Sequence, residues 1–244
     1  MGKKMNGATT ELAKYEDQGL SIPDAEGLFD LRDNMEGVTP RLPQVGILHQ
    51  GQVFKMPDGS KVDDVHGVIL DTNVCNAWWA ESFDASGGGT PPNCASSDAT
   101  KPDQGDMQQN ELCATCPQNR FGSAGRGKAC KNMRRLHLWV KGSRLPLRLT
   151  LPPSSLRAWD EYATGLANRG IPYPCVETTV TLLADQNKDG IEYSVPEFSF
   201  PKDADGNPIP IGGRTDLERI AKLRKAYLQA MRGQRIEATE ATAE

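Results

Sequence analysis

Cys94, Cys113, Cys116 and Cys130 are separated by eighteen, two and thirteen residues, and that spacing constrains this chain more than any other feature. From Ala85 to Arg126 the chain holds Gly87-Gly88-Gly89, Pro91-Pro92 and polar residues, with almost nothing apolar enough to build a core. A stretch of that length inside a compact domain needs its own organiser. Zinc supplies one, because it takes four ligands tetrahedrally: a Cys-x-x-Cys knuckle presents two thiolates from one turn and two distant cysteines close the shell. Pro117 follows the knuckle, and Gly122, Gly125 and Gly127 allow the return to Cys130. A binding free energy of ~10 kcal/mol or more suffices to order a segment without a hydrophobic core. Four thiolates leave no open coordination position, so the expected zinc is structural, not catalytic.

Other readings of these residues stay open. Cys113-Ala-Thr-Cys116-Pro117 looks like a redox-active dithiol, although no parallel βαβ pattern surrounds it, and a disulfide pair is a further alternative. His137 could replace one cysteine as a ligand, but its place among alternating leucines favours a surface or nucleic-acid-facing role. Cys75 and Cys175 lie in strand-like apolar surroundings and read as buried small hydrophobes. Asp185, Asn187, Asp189 and Gly190 match the opening of an EF-hand loop, yet position twelve is Pro196, so the bidentate carboxylate is missing and the segment reads as a hairpin turn.

Residues 1–40 mix charge, glycine and polar side chains with one weak helical stretch around Thr10 to Tyr15, the pattern of an N-terminal arm. Strand pattern starts at Val45 and Ile47, runs through Val53 into the turn Pro57-Asp58-Gly59, and resumes with Val62, Val65, Val68, Ile69 and Leu70. After the insert, placed at 85–132, Leu136, Leu138 and Val140 alternate with Arg135, His137 and Trp139. Leu145, Leu147 and Leu149 then alternate with Arg144, Pro146, Arg148 and Thr150. This period of two predicts paired strands with an apolar inner face and an outer face of Arg, His and Trp. Pro152-Pro153-Ser154 opens a helix with Leu156, Trp159, Tyr162, Ala163 and Leu166 at the 3.6-residue period, closed by Gly170. A second hairpin places Val176, Thr178 and Val180 before Asn187-Lys188-Asp189-Gly190, and Ile191, Tyr193 and Val195 after it. The last helix, over 213–235, starts at the capping box Thr215-Asp216-Leu217-Glu218. It carries Leu217, Ile220, Leu223, Tyr227 and Met231 along one side, a stripe suited to docking or self-association. Residues 236–244 read as a flexible acidic tail.

A helix between the third and fourth strands of a small antiparallel barrel is the order of an OB-fold, whose open face binds oligonucleotides. The expected fold is therefore mainly β: an OB-fold-like antiparallel barrel over 41–212 with a zinc-ribbon-like insert, one helix between strands 3 and 4, and a C-terminal helix.

Charge points in the same direction. The chain sums to −4, yet no Asp or Glu occurs from Leu112 to Trp159, where Arg120, Arg126, Lys128, Lys131, Arg134, Arg135, Lys141, Arg144, Arg148 and Arg157 fall. Those ten leave 18 cations against all 32 acids, so the remainder carries −14. A single-sign stripe on an acidic protein suits a polyanion partner, the alternative being a solvated basic face beside a metal site. Binders of single-stranded nucleic acid combine such cations with aromatic rings on which bases stack. The candidates are Lys128, Lys131, Arg134, Arg135, His137, Trp139, Arg144 and Arg148, with one of the adjacent pair Trp78 and Trp79. Trp159 reads as core.

Certain motifs carry a family resemblance. Pro91-Pro92-Asn93-Cys94-Ala95-Ser96-Ser97-Asp98, Cys113-Ala114-Thr115-Cys116-Pro117-Gln118-Asn119, Gly127-Lys128-Ala129-Cys130-Lys131 and Leu149-Thr150-Leu151-Pro152-Pro153-Ser154-Ser155-Leu156 resemble a family of bacteriophage and prophage single-stranded DNA-binding proteins. The similarity spans roughly residues 40 to 200. It is similar in plan to T4-type single-stranded DNA-binding proteins: OB-folds with a zinc-bearing insert, an N-terminal arm for cooperativity and an acidic C-terminal tail for partners. This chain departs from that type in offering four cysteines where the T4 type uses one His and three Cys, and in its thin acidic tail.

The expected function is thus non-enzymatic, sequence-independent binding of single-stranded DNA in phage replication or recombination, with structural zinc. Expected partners beyond the DNA are a second copy, through the arm or the terminal helix, and replication or recombination proteins, through the tail. The alternative is a zinc-containing virion or assembly protein working through protein contacts. An enzyme ranks last, since no carboxylate cluster of metal-dependent nuclease type stands out. No apolar run approaches the roughly 20 residues of a membrane span and Met1-Gly2-Lys3-Lys4 opens no signal-peptide stretch. A cytoplasmic protein, in the host cytoplasm if phage-encoded, is the expectation.

Overall fold

Among the described residues, nine strands and two α-helices follow one another in the order β1 (Gln44–Leu48), β2 (Val53–Lys55), β3 (Lys61–Val62), β4 (Asp64–Trp78), β5 (Cys94–Ser96), β6 (Lys131–Trp139), β7 (Leu147–Leu151), α1 (Leu156–Ala167), β8 (Thr178–Gln186), β9 (Glu192–Ser199) and α2 (Arg214–Arg232). The structure, a computed structural model, describes residue 38 and residues 41–48, 51–81, 90–143, 145–186, 190 and 192–238. The arm expected at 1–40 lies outside the described residues except for Val38, as do Arg144 and residues 239–244 of the tail.

β4 organises the sheet. Its first residues, Asp64 to Gly67, pair antiparallel with β8, while Val68 to Ala77 pair antiparallel with β6 across a bulge between Ile69 and Asp71. The complete order is β3-β2-β1-β7-β6-β4-β8-β9, with β5 added to the end of β4. The sheet is mixed rather than antiparallel throughout, because β1 joins β7 in parallel through Gln44 and Val45. Counted along the chain, α1 falls between β7 and β8, not between the third and fourth strands. The segment up to Val62 forms three short strands and the insert contributes one of its own.

The sheet is curled. Phe54 on β2 and Leu182 on β8 belong to one buried cluster, although five strand spacings separate them in the order, about 24 Å if the sheet were flat. Curling creates a concave side filled by Val45, Val65, Ile69, Leu136, Leu138 and Leu149, and α1 closes it with Trp159, Tyr162 and Leu166. That helix forms for the reasons its sequence suggests: Pro153 begins a short 3-10 turn into it and its buried residues recur at three and four positions. It stops where Gly170 takes φ +68° and Ile171 N–H reaches back to Leu166 O at 3.1 Å, a Schellman-type end. Trp159 is core, edge-on to Tyr173 and Phe198.

α2 lies on the convex side, burying Ile220 and Met231 against Val68, Leu70, Leu42 and Ile211. The apolar stripe offered for docking or self-association is thus engaged by the chain's own sheet. The helix is capped at Gly213, two residues before Thr215, with the Gly213 N–H donating to the Asp216 carboxylate at 3.1 Å. A glycine has no side chain to complete the other half of a capping box. Gly212 precedes it at φ +48°, and a Cβ there would overlap the Asp216 carboxylate. The second hairpin is present, with β8 and β9 in register from Thr179 opposite Ser199 to Gln186 opposite Glu192.

Candidate metal centre and cationic surfaces

The insert is held by hydrogen bonds rather than by a core. Cys113 N–H donates to Thr100 O at 3.0 Å and Cys130 N–H to Gln118 O at 2.8 Å, while Ala95 N–H reaches Gln104 O at 3.0 Å. Asn132 ties it to the sheet by donating to Asn76 Oδ1 at 2.8 Å and Asn119 Oδ1 at 2.9 Å. This scaffold brings Cys94, Cys113, Cys116 and Cys130 around one cavity of about 20 Å³, walled also by Trp78 and Gln118. Such a space admits about one water-sized body. Cys113, Cys116 and Cys130 are buried.

The thiols feel one another. Burial, followed by the charges of Cys113, Cys116 and Cys94, pushes Cys130 up to about 12. Burial likewise raises Cys94, against a backbone N–H from Gln109 that favours its thiolate. A soft divalent cation among four such sulfurs would reverse that preference, since thiolates are its natural donors. Among the described residues, no three His, Cys, Asp or Glu side chains stand in metal-ligating geometry. The donor set and the shared cavity nonetheless fit a zinc-sized ion in kind. His137 does not line this cavity and bonds to Asn73 Oδ1 at 3.1 Å through Nε2. Cys75 is fully buried among Ala77, Ala95 and Met133, as its apolar surroundings suggest.

The expected outer face of Arg, His and Trp does exist as a face, but it is not open. Arg135, His137 and Arg148 side by side on β6 and β7 are 0%, 0% and 1% exposed. The chain beyond α2 covers them. Arg135 donates through Nη1 to Gln234 O at 2.6 Å and through Nη2 to Arg235 O at 2.8 Å. Gln234 in turn accepts from Leu42 N–H at 3.0 Å, and Arg148 meets Glu237 at 3.4 Å. Ile236, assigned by its sequence to a flexible tail, is buried, and its N–H donates to Gln104 Oε1 at 2.9 Å. Trp139 packs against Tyr227 of α2, ring centroids 6.0 Å apart and planes tilted by 35°.

A carboxylate invisible as a site in the sequence fastens this cover. Asp71 projects from the bulge of β4, fully buried, and accepts from Arg224 Nη2 at 2.9 Å and from Arg232 Nε and Nη2 at 2.9 and 3.3 Å. Burial alone would raise the Asp71 carboxyl, but the two guanidinium groups outweigh it and hold the carboxyl below its ordinary range.

Other candidates lie elsewhere. Arg134 points to the concave side, its guanidinium 5.9 Å from the Trp159 ring. Lys128 and Lys131 are half-buried, as are Trp78 and Trp79, the latter donating Nε1–H to Thr90 O at 3.0 Å. Arg120, Arg126, Lys141 and Arg157 are exposed. The acid-free segment is therefore divided: Arg135 and Arg148 on the strands point into the protein, Arg120, Arg126 and Lys141 in the loops are exposed, and Arg157 on α1 is exposed and paired with Glu161 at 2.7 Å.

No family model, curated protein or solved structure matches the chain. Among the described residues, no helix is long and apolar enough to cross a membrane.

Proposed function

We propose that this chain is a non-enzymatic, sequence-independent single-stranded DNA-binding protein, acting in phage replication or recombination, whose Cys94, Cys113, Cys116 and Cys130 hold one structural zinc ion. The observation that carries the reading is the basic segment without a single acid from Leu112 to Trp159, whose loop cations Arg120, Arg126 and Lys141 are exposed to water. A polyanion is the partner such a field selects. A curled, mainly β sheet closed at its concave side by one helix is compatible with an OB-like reading, and the family resemblance of the cysteine motifs points the same way. Zinc would supply structure alone: it would lock the insert and so fix the loop cations relative to the sheet.

Docking of the α2 stripe onto its own sheet takes from the virion or assembly reading the surface it most needed. Titrating a fluorescent thymidine oligonucleotide with the full chain, with zinc content measured on the same sample, tests the proposal. Binding at low salt is expected, with an affinity falling by a slope of about 0.7 per phosphate contacted in a plot of logarithms. Absence of binding at low salt refutes the nucleic-acid part, and a metal-free, fully folded insert refutes the zinc part.

A further inference from the structure

The tip of the insert presents an aromatic ring that the fold does not use. Phe121 is 82% exposed, the most exposed large hydrophobic residue among those described. Apolar rings ordinarily turn inward, and a loop free to move would let this one do so. The loop is instead braced. Gly122 N–H donates to Gly127 O at 2.9 Å and Gly127 N–H to Ala124 O at 2.9 Å, closing a tight hairpin that Gly122 and Gly125 permit at φ +93° and +60°. The one hydroxyl proton of Ser123 is shared between Gln118 O and Arg120 O, 2.9 and 2.7 Å from Oγ, which also accepts from Ala129 N–H at 2.9 Å. The ring therefore stands on a support bonded into the cysteine module itself.

Its surroundings are cationic. Lys128 Nζ sits 5.1 Å from the Phe121 centroid and is steadied by Asn132 Oδ1 at 2.7 Å and Asn119 Oδ1 at 3.3 Å. Arg120 and Arg126 flank the ring along the chain and are exposed, and no acid occurs in the hairpin. The ammonium lies over one face of the ring, leaving the rest of the ring in water.

We propose that the Arg120–Lys128 hairpin is a base-stacking site for single-stranded nucleic acid, in which Phe121 takes an unpaired base and Arg120, Arg126 and Lys128 take the adjoining phosphates. The inference deepens the reading given under Proposed function and rests on it. A flat ring beside fixed cations suits a ligand that alternates flat bases with anions; a protein partner would ask for a wider apolar patch around the ring.

Anisotropy titrations of the full-length, zinc-loaded protein with labelled oligo-dT, oligo-U and a duplex of equal length provide the test. Phe121→Ala should weaken single-strand binding about tenfold or more, and Phe121→Tyr should retain it. Phe121→Leu, apolar but without a π face, should bind like the alanine variant. The salt slope should stay unchanged in Phe121→Ala and fall by about 0.7 in Arg120→Gln or Arg126→Gln. If the unaltered protein binds and Phe121→Ala binds equally well, the stacking site is wrong and the broader function survives. If the unaltered protein binds no oligonucleotide, both fall together. A lowered melting temperature or a changed oligomeric state in Phe121→Ala also overturns the proposal, because the ring would then serve packing.

Discussion

Replacing Asp71 by Asn isolates the ionic fastening between the sheet and α2. The carboxylate is 1% exposed and receives three guanidinium hydrogen bonds, but Arg224 and Arg232 are 42% and 56% exposed. A charge-assisted hydrogen bond contributes about 1.5–3 kcal/mol when its partner is buried, whereas water screens much of the attraction to half-exposed arginines. The carboxamide keeps one acceptor and turns an NH₂ toward a guanidinium, so the expected net loss is about 2–3 kcal/mol. For a chain of this size that lowers the melting temperature by about 5–10 °C. Urea unfolding at neutral pH, followed by circular dichroism and by tryptophan emission, gives the number; Trp139 against Tyr227 reports the helix itself. The pH dependence carries a sign. A folded pKa below the ordinary value of about 3.9 means that the contribution is complete above that value and fades as pH falls through the folded one. Wild type and Asp71→Asn should therefore converge in acid. A loss under about 0.5 kcal/mol refutes the reasoning. So does an Arg232→Gln penalty that is the same in both backgrounds, since coupled partners do not add.

Three further outcomes follow from the same structure. Arg135→Met strips the carbonyls of Gln234 and Arg235 of their donor and should lower stability by about 1–3 kcal/mol, seen in a thermal melt, whereas exposed Arg126→Gln should leave the melt unchanged. Gly212→Ala forces a left-handed backbone and a collision with Asp216, so the start of α2 should fray at a cost of about 1–3 kcal/mol, read by urea titration. Cys113→Ser or a zinc chelator should open the segment between Cys94 and Cys130 to limited proteolysis while the far-ultraviolet dichroism of the sheet persists; protection equal to wild type would deny the metal any structural part.

Much of the architecture is written in local patterns. The alternation in β6 and β7, the helical spacing of Trp159, Tyr162 and Leu166, and the turns at Gly59 and Gly170 each follow from one short window, and the structure places them accordingly. Alternation, however, reveals only that two faces differ. It cannot say whether the polar face meets water or another part of the chain, and here Arg135 and His137 meet Gln234 and Asn73. That outcome depends on pairings such as Asp71 with Arg232, separated by 161 positions, for which no local signal exists. The parallel pairing of β1 with β7 is no more legible, because its partners, such as Val45 and Leu149, share no local window. Phe121 is silent in the sequence for a simpler reason: a lone aromatic among glycines and arginines has no periodicity, and only its exposure marks it.

The polar layer on the convex face also bears on how the chain is made. Gln234 is synthesised 99 residues after the arginine it covers, about 5–20 s later at ordinary rates of elongation. During that interval a growing chain must carry a finished strand face with nothing over it. Leucines in those positions would offer neighbouring nascent chains an adhesive surface. Arginine, histidine and aspartate can wait in water, and they give up their hydration only when the last helix arrives.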